Sequence, residues 1–337
     1  MKNNFILLSI CLLLNACASS GGKPAWINGV AKDYPQNQYL TAVGTASNVE
    51  VAKSAALANL AKIFEVKVNE TSRDEAAAWR SSGDDGKSVQ GGSQITVRYV
   101  DAFTTKLLEG ATIAQIWQDE KSGQYFALAV ASRSQLTNRL STQIRKADQY
   151  AQRLLAQAKQ QREPFRAAQA LHRAQKALVS RELLQKDLQI VDISGRGIQP
   201  RWTTSDLELQ INSILGRLAA ATEVLLDPVG DLEPALPAAV TAIGMQYREQ
   251  ARYQLQASLD VEDLGWRDNW YWYRGALEVQ LLNVDSDEVL ANHRWALKSS
   301  GQSQEQARIR LQDQVANRLH TQLKGVLLSF AQKADEK

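Results

Sequence analysis

Cys17 is the residue whose type and position most directly predict chemistry in this sequence. It follows the basic residue Lys2, a mainly apolar run over residues 5–14 and the pair Asn15-Ala16. A basic start, an apolar core of this length and a small residue before the cleavage point are typical of a secretory signal peptide. The run is too short for a transmembrane helix, which needs about 20 residues. A cysteine directly after the cleavage point predicts that residues 1–16 are removed and that Cys17 is acylated, with palmitate among the attached chains.

The residues after Cys17 predict where the lipidated protein resides. In Gram-negative bacteria an aspartate in the next position favours retention in the inner membrane, whereas Ala18 resembles the outer-membrane class. Cys11 departs with the leader, so we expect no disulfide within one chain. Residues 17–23 form a lipidated tether that reaches at most roughly 20–25 Å. We therefore expect a lipid-anchored protein of the outer membrane that faces the periplasm, with its first domain close to the membrane.

Other motifs that carry chemistry are absent from the sequence. The three histidines, His172, His293 and His320, are far apart, and none belongs to an HExxH motif. A nucleophile elbow, a P-loop and a dinucleotide fingerprint are also missing. The net charge of +3 gives no reason to expect binding to nucleic acid. We expect a protein that is not an enzyme, with no metal site and no cofactor.

Residues 24–131 have the pattern of a small α+β domain. A strand over Tyr39–Gly44 is followed by Ser47 and Glu50, which have the spacing of a capping box at a helix start. One face of that helix carries small and apolar residues, which allow a close approach to a sheet: Ala52, Ala56, Leu60 and Ile63. A polar loop is predicted at residues 81–94. Further strands are predicted at residues 64–69, 95–99, 111–118 and 124–131.

This segment resembles a known family. The cleavage motif before Cys17, the segment Pro24-Ala25-Trp26, the strand Tyr39–Gly44 and the alanine-rich helix over residues 49–64 are similar to the Lpp-twenty-type lipoprotein family. A similar domain forms the N-terminal part of a periplasmic flagellar assembly protein. The resemblance covers residues 24–135 and implies an exported lipoprotein, mostly of the outer membrane, with a binding or assembly role. It assigns no catalytic residues.

Residues 132–226 are predicted to be helical. Apolar residues at helical spacing indicate an antiparallel hairpin that turns near residues 161–164, with Pro164 in the first turn of the second arm. A third helix is expected to start near Ser205, where Glu208 completes another capping-box spacing.

The predicted hairpin is strongly basic. From Arg133 to Arg181 there are eleven lysines or arginines and two acidic residues. One interpretation is a face that contacts anionic lipid headgroups, lipopolysaccharide phosphates, acidic glycan or an acidic partner. The alternative is a solvated surface made of good helix formers. The candidate residues for an anionic contact are Arg145, Lys146, Arg153, Lys159, Arg166 and Arg173.

A proline-rich linker at residues 227–237 is predicted to lead into a C-terminal α+β domain at residues 238–332. This domain contains predicted strands at residues 253–259, 269–282 and 289–298. A closing helix has apolar residues every four positions: Ala307, Leu311, Val315, Leu319 and Leu323. Gly44 and Gly301 both precede a helix with similarly spaced small residues, which is compatible with a duplicated strand–helix unit.

The strand predicted at residues 269–282 has an unusual polar face. Leu277 and its alternate neighbours should face the core, which leaves Trp270, Trp272 and Arg274 on the opposite face, with Trp266 nearby. Exposed tryptophan beside arginine is typical of a protein-interface hot spot or a sugar-stacking platform. The alternative is that the closing helix or the hairpin covers this face, because large aromatic side chains are usually buried.

Together these patterns predict an α+β protein with two small helix-on-antiparallel-sheet domains joined by a helical hairpin segment. We expect a non-catalytic binding, assembly or scaffold role in the cell envelope, with the membrane as one partner through the lipid and an envelope protein or peptidoglycan as another. An activator of peptidoglycan synthesis is an alternative, although the short tether argues against it. A glycan-acting envelope enzyme is the second alternative.

Overall fold

The computed structural model describes residues 22–63, 110–230 and 232–330. These residues form an α+β fold, as the sequence predicts, with helical segments between two sheets. They divide into two compact units, one built from residues 22–60 and 111–130 and the other mainly from residues 131–330. The predicted leader with Cys17, the strands at residues 64–69 and 95–99, and the polar loop at residues 81–94 lie outside the described residues.

The first unit contains a short 3₁₀ helix, Ala25–Asn28, and a helix over residues 49–63 that we call α1. Its sheet has the strand order β1-β3-β2. The strands are β1, Tyr39–Ala46, β2, Ala111–Gln118, and β3, Tyr125–Ser132. Trp26, from the Pro24-Ala25-Trp26 segment, is buried against Leu128 and Val130 of β3.

Helix α1 packs unusually close to strand β1. Ala52, Ala56 and Leu60 are fully buried, as their spacing predicts. A Cβ atom added to Gly44 would lie 2.1 Å from the backbone nitrogen of Ala56. The helix cap differs from the prediction: the side chain of Asn48, rather than Ser47, accepts a hydrogen bond from the backbone N–H of Glu50. Both residues have a side-chain oxygen suited to this role.

The second unit starts with the predicted helical hairpin. Helix α2 spans Arg133–Gln160 and helix α3 spans Pro164–Val191, so the turn falls at residues 161–163. Ser132 caps α2 by accepting a hydrogen bond from the N–H of Gln135. Proline fits the first position of α3 because that position has no intrahelical partner for its N–H.

Helix α4, Thr204–Leu215, starts earlier than the predicted cap. Thr203 and Asp206 form a complete capping box, whereas the prediction used Ser205 and Glu208. Both pairs have the required spacing, so sequence alone could not choose between them. The carboxylate of Glu208 instead accepts hydrogen bonds from other parts of the unit.

A five-stranded sheet forms the rest of the second unit, in the order β5-β4-β6-β7-β8. The strands are β4, Ala219–Leu226, β5, Gln246–Tyr247, β6, Tyr253–Arg267, β7, Trp270–Asn283, and β8, Glu288–Gly301. Strands β6, β7 and β8 pair antiparallel. Strand β4 pairs parallel with β5 and β6, so this sheet is mixed rather than wholly antiparallel.

Two elements lie where the sequence predicts other structure. Strand β4 falls within residues 132–226, which were predicted to be helical. The prediction missed it because the alanine-rich start of β4 lacks the period-two alternation that identifies a strand. Helix α5, Leu232–Ile243, begins inside the predicted linker and continues into the predicted C-terminal domain. Pro234 is tolerated in its first turn, where backbone N–H groups have no intrahelical acceptor.

The β6–β7 hairpin is closed by a two-residue turn. Asp268 and Asn269 both have positive φ values, 51° and 64°, as a type I′ turn requires. This turn places Arg267 opposite Trp270 and fixes the register of the longest strands. Helix α6, Gln304–Asn317, a π-helical turn, Arg318–Gln322, and helix α7, Leu323–Ser329, then complete the core.

Candidate functional site

The strongest candidate site lies on the polar face of strand β7. Leu277, Val279 and Leu281 are fully buried, so this side of the strand faces the core as predicted. By alternation Trp270 and Trp272 lie on the opposite face, towards the hairpin turn. We call Trp270, Trp272, Arg274 and Lys298 the Trp272 surface.

Trp272 is held in a fixed orientation on this surface. Its indole Nε1–H donates a hydrogen bond to the carbonyl oxygen of Arg267 at 3.2 Å. The Nζ atom of Lys298 on β8 lies 4.5 Å from the centre of the indole ring, which is a cation–π contact. The side chain of Trp270 is 36% exposed. The closing helix approaches this residue through Arg310, which lies 6.0 Å from the ring centre.

Charged residues continue the polar face away from the tryptophans. Arg274 donates to a carboxylate oxygen of Glu262 at 2.6 Å, and both side chains are more than half exposed. Arg294 and Glu278 form a looser pair at 3.6 Å that is also exposed. Such exposed ion pairs contribute little to stability, so these groups can exchange their partners for those of a bound molecule. Arg274, Glu262, Arg294 and Glu278 are exposed, so neither the helical hairpin nor the closing helix covers them.

Trp266 does not join the Trp272 surface, although the sequence placed it nearby. It pairs with Tyr271 across the hairpin and is 61% exposed. The two rings make an edge contact with centres 5.6 Å apart. Tyr271 donates a hydrogen bond to Asp263 at 2.6 Å, which raises the pKa of the Tyr271 hydroxyl to about 12. The pairing register therefore puts Trp266 on the other face of the hairpin.

The six basic candidate residues of the helical hairpin fall into an exposed group and a half-buried group. Four of them are exposed on α2: Arg145, Lys146, Arg153 and Lys159. Arg166 and Arg173 are half-buried on α3. Arg166 donates to a carboxylate oxygen of Glu288 at 2.9 Å and to the carbonyl oxygen of Val289 at 3.3 Å. Arg166 thus holds the hairpin to β8.

Two further hairpin arginines have structural contacts that the sequence did not reveal. Arg133 donates to the carbonyl oxygens of Ile190 and Val191 at the end of α3, where a cation is favoured by the helix dipole. Arg181 is buried and pairs with Asp148 of α2 at 3.0 Å. Both interactions join residues that are far apart in sequence. Part of the positive charge is therefore used within the fold.

A polar cluster around His172 is a second candidate site, and the sequence analysis did not identify it. The two ring nitrogens of His172 lie 3.3 Å from the side-chain oxygen of Gln175 and 3.4 Å from the hydroxyl of Ser329. Lys176 donates to the same hydroxyl at 2.6 Å. Burial, with a smaller contribution from Lys176, lowers the pKa of His172 to about 4. The imidazole is therefore neutral at neutral pH.

This lowered pKa predicts an acid-sensitive contribution to stability. The unfolded chain binds a proton at His172 near pH 6.5, whereas the folded chain resists it until about pH 4. The free energy of unfolding should therefore be unaffected by the protonation of His172 above about pH 6.5 and should decrease as the pH falls from about 6.5 towards 4. Urea unfolding at several pH values should show a shallower acid loss for His172→Gln than for the unchanged protein. The exposed His320→Gln variant is the control, and equal pH slopes for all three proteins would contradict the prediction.

Within residues 22–63, 110–230 and 232–330, no group of three or more histidine, cysteine or acidic side chains could hold a metal ion. In the same residues, no helix combines the length and apolar character needed to cross a membrane.

Comparison with known proteins supports the first unit's assignment. Residues 24–132 match the LPP20 lipoprotein family, so the predicted resemblance is confirmed over about a third of the chain. A minor lipoprotein from Acinetobacter baumannii is similar at 18% identity and a TM-score of 0.29, over 34% of this chain and 96% of that one. A secreted protein of Helicobacter pylori is similar at 13% identity and a TM-score of 0.40, over 85% of this chain and 98% of that one. No curated protein matches the chain.

Proposed function

We propose that this protein is a lipoprotein anchored in the outer membrane through acyl chains on Cys17, facing the periplasm and acting by binding rather than catalysis. The match of residues 24–132 to a lipoprotein family supports an envelope lipoprotein. The apolar leader before Cys17 and the alanine at position 18 support the anchor and its membrane. The role is to hold or assemble a partner in the cell envelope.

The Trp272 surface is the observation that carries the binding role. Tryptophan and arginine are the residues that most often dominate the energy of protein interfaces. Here they lie on a sheet face whose neighbouring Arg274 and Arg294 are exposed. Lys298 lies over the Trp272 ring, and a stacked sugar would have to displace it from that ring face. This arrangement favours an envelope protein as the partner over a glycan.

Replacing Trp272 by alanine should weaken partner capture by about tenfold or more, the effect of removing a hot-spot side chain. The mature protein would be immobilised, and periplasmic proteins retained from an extract would be quantified by mass spectrometry, with peptidoglycan sacculi assayed in parallel. Trp266→Ala removes an equally large side chain from the other face of the same hairpin and should leave capture unchanged. Equal capture by the Trp272→Ala variant would remove the site. Release of products in a glycan-hydrolysis assay would contradict the non-catalytic role.

Replacing Cys17 by serine should release the protein from membranes, because the thiol that carries the acyl chains is absent. Two or more chains give stable anchoring, since each buried methylene contributes about 0.8 kcal/mol. Fractionation of cells that produce each form, followed by intact-mass measurement, would test both the anchor and its attachment point. Retention of the Cys17→Ser protein in the outer-membrane fraction would argue against the lipid anchor while leaving the Trp272 surface to its own test.

A further inference from the structure

The two edges of the five-stranded sheet differ in how their backbone groups are satisfied. Strand β8 lies at one edge, and the short β5 covers the start of β4 at the other. An edge strand presents a row of backbone N–H and C=O groups that can pair with another chain. How each edge is protected therefore shows whether the fold excludes or permits such pairing.

The β8 edge is blocked near both ends by side chains from the same unit. Gln314 and Arg310 of α6 donate to the carbonyl oxygens of Lys298 and Ser300 at 3.0 and 2.7 Å. At the other end, Gln169 of α3 donates to the carbonyl oxygen of Leu290 at 3.0 Å. An added strand would have to displace these donors.

Among the described residues, the outer edge of β4 is unpaired beyond its first residues. Strand β5 pairs only with Ala219 and Ala220, and Arg248 N–H donates to the carbonyl oxygen of Ala220 at 3.1 Å. Because backbone direction alternates along a strand, the N–H and C=O groups of Thr222 and Val224 point to the same side. In the part of the chain that the structure describes, no strand pairs with them there.

Apart from Glu223, the side chains along this open segment lack the usual protection of an edge, and the register shift between Val224 and Leu226 leaves Thr222 and Val224 in regular pairing geometry. Leu225 and Leu226 are 55% and 48% exposed. Residues 221–226 contain no proline and no lysine, the residues that most often discourage pairing at an edge. The single charge is the exposed Glu223, whose carboxylate accepts a hydrogen bond from Gln256 at 2.6 Å.

We propose that residues 222–226 of β4 bind an extended peptide segment of a partner protein, which adds a strand to the sheet. Main-chain hydrogen bonds to Thr222 and Val224 supply the affinity, and the side chains supply the selectivity. The partner segment places a basic residue opposite Glu223 and apolar residues opposite Thr222 and Val224, whose side chains lie on the other face of the strand. This surface is distinct from the Trp272 surface and does not depend on it.

Charge disfavours a second copy of the chain as the occupant. Two copies that pair Thr222 of each chain with Val224 of the other would place the two Glu223 side chains directly opposite one another. Like charges at opposed positions destabilise an antiparallel pair. A partner with a basic residue at that position gains an attraction instead.

The test uses capped, fluorescently labelled peptides of alternating lysine and valine, with a glutamate–valine peptide for comparison. Fluorescence anisotropy should show that the mature protein binds the lysine–valine peptide about tenfold more tightly than the glutamate–valine peptide. The Glu223→Lys variant should reverse this preference. A lysine–valine peptide that is N-methylated at alternate residues keeps its side chains but cannot complete the main-chain pairing, so it should not bind.

Val224→Pro removes an outward N–H that β6 does not use and should abolish binding. Because the Val224 side chain also packs against the core, binding is measured at a temperature at which circular dichroism shows the variant to be folded. Equal binding of the N-methylated peptide, or no reversal in a folded Glu223→Lys variant, would overturn the proposal. Sedimentation analysis tests whether a second copy of the chain occupies this edge. A wild-type dimer that Val224→Pro dissociates would assign the edge to a second copy and overturn the partner assignment.

Discussion

Replacing Asp148 by alanine should lower the free energy of unfolding by about 3–5 kcal/mol, because it leaves the charge of Arg181 buried without its counter-ion. The side chain of Arg181 is only 1% exposed, and its Nε–H donates to a carboxylate oxygen of Asp148 at 3.0 Å. A second donor of the guanidinium reaches the carbonyl oxygen of Ile198 at 2.8 Å. The pair therefore joins both helices of the hairpin to the segment before α4.

Urea unfolding of the mature protein at neutral pH measures this effect. Glu262→Ala is a matched control, since it breaks the Arg274–Glu262 pair, which has similar geometry but is exposed. That change should cost at most about 1 kcal/mol. The double variant Asp148→Ala/Arg181→Met should recover much of the loss, because it removes the buried charge as well as its partner. Equal losses for Asp148→Ala and Glu262→Ala would contradict the prediction.

Replacing Gly44 by alanine should disrupt the packing of α1 on β1 and destabilise the first unit by about 3 kcal/mol. The added Cβ would lie 2.1 Å from the nitrogen of Ala56 and 2.3 Å from the carbonyl oxygen of Ala52. Both are backbone atoms, so no side-chain rotation can relieve the overlap. The helix must move away, which exposes Ala52, Ala56 and Leu60.

Hydrogen exchange followed by mass spectrometry can locate this effect. Peptides that cover residues 49–60 should lose protection in Gly44→Ala, while those of the second unit should keep theirs. Thr45→Ala is the control, because Thr45 is exposed beside Gly44 on the same strand and a surface change of this kind costs within about 0.5 kcal/mol. Unchanged protection of α1 in Gly44→Ala would show that the close approach is not required.

Gly301, at the end of β8, allows a similarly close approach of a helix to a strand. A Cβ atom there would lie 2.5 Å from the backbone nitrogen of Ala307 in α6. The predicted similarity between the two strand–helix pairs thus has a shared packing reason, namely that a helix following a strand closely requires a residue without a side chain. Whether the two arose by duplication stays a prediction.

The elements that the sequence predicted well are those whose signal is local. The hairpin of α2 and α3 follows from apolar residues at helical spacing and from Pro164 at a helix start. The alternation along β7 correctly placed Leu277 in the core and Trp272 on the other face. Periodicity is a property of neighbouring residues, so it can be read without knowing what the element packs against.

The sequence by itself determined the α+β class, the hairpin, the two faces of β7 and the resemblance of residues 24–132 to a lipoprotein family. Only the tertiary structure decided that Trp266 lies on the opposite face from Trp272, that Arg181 is paired with Asp148, and that no strand of the described residues pairs with β4 beyond Ala220 on its outer edge. Each of these depends on strand register or on contacts between residues distant in the chain. Such contacts are selected by the packing of the whole core, and no local pattern records them.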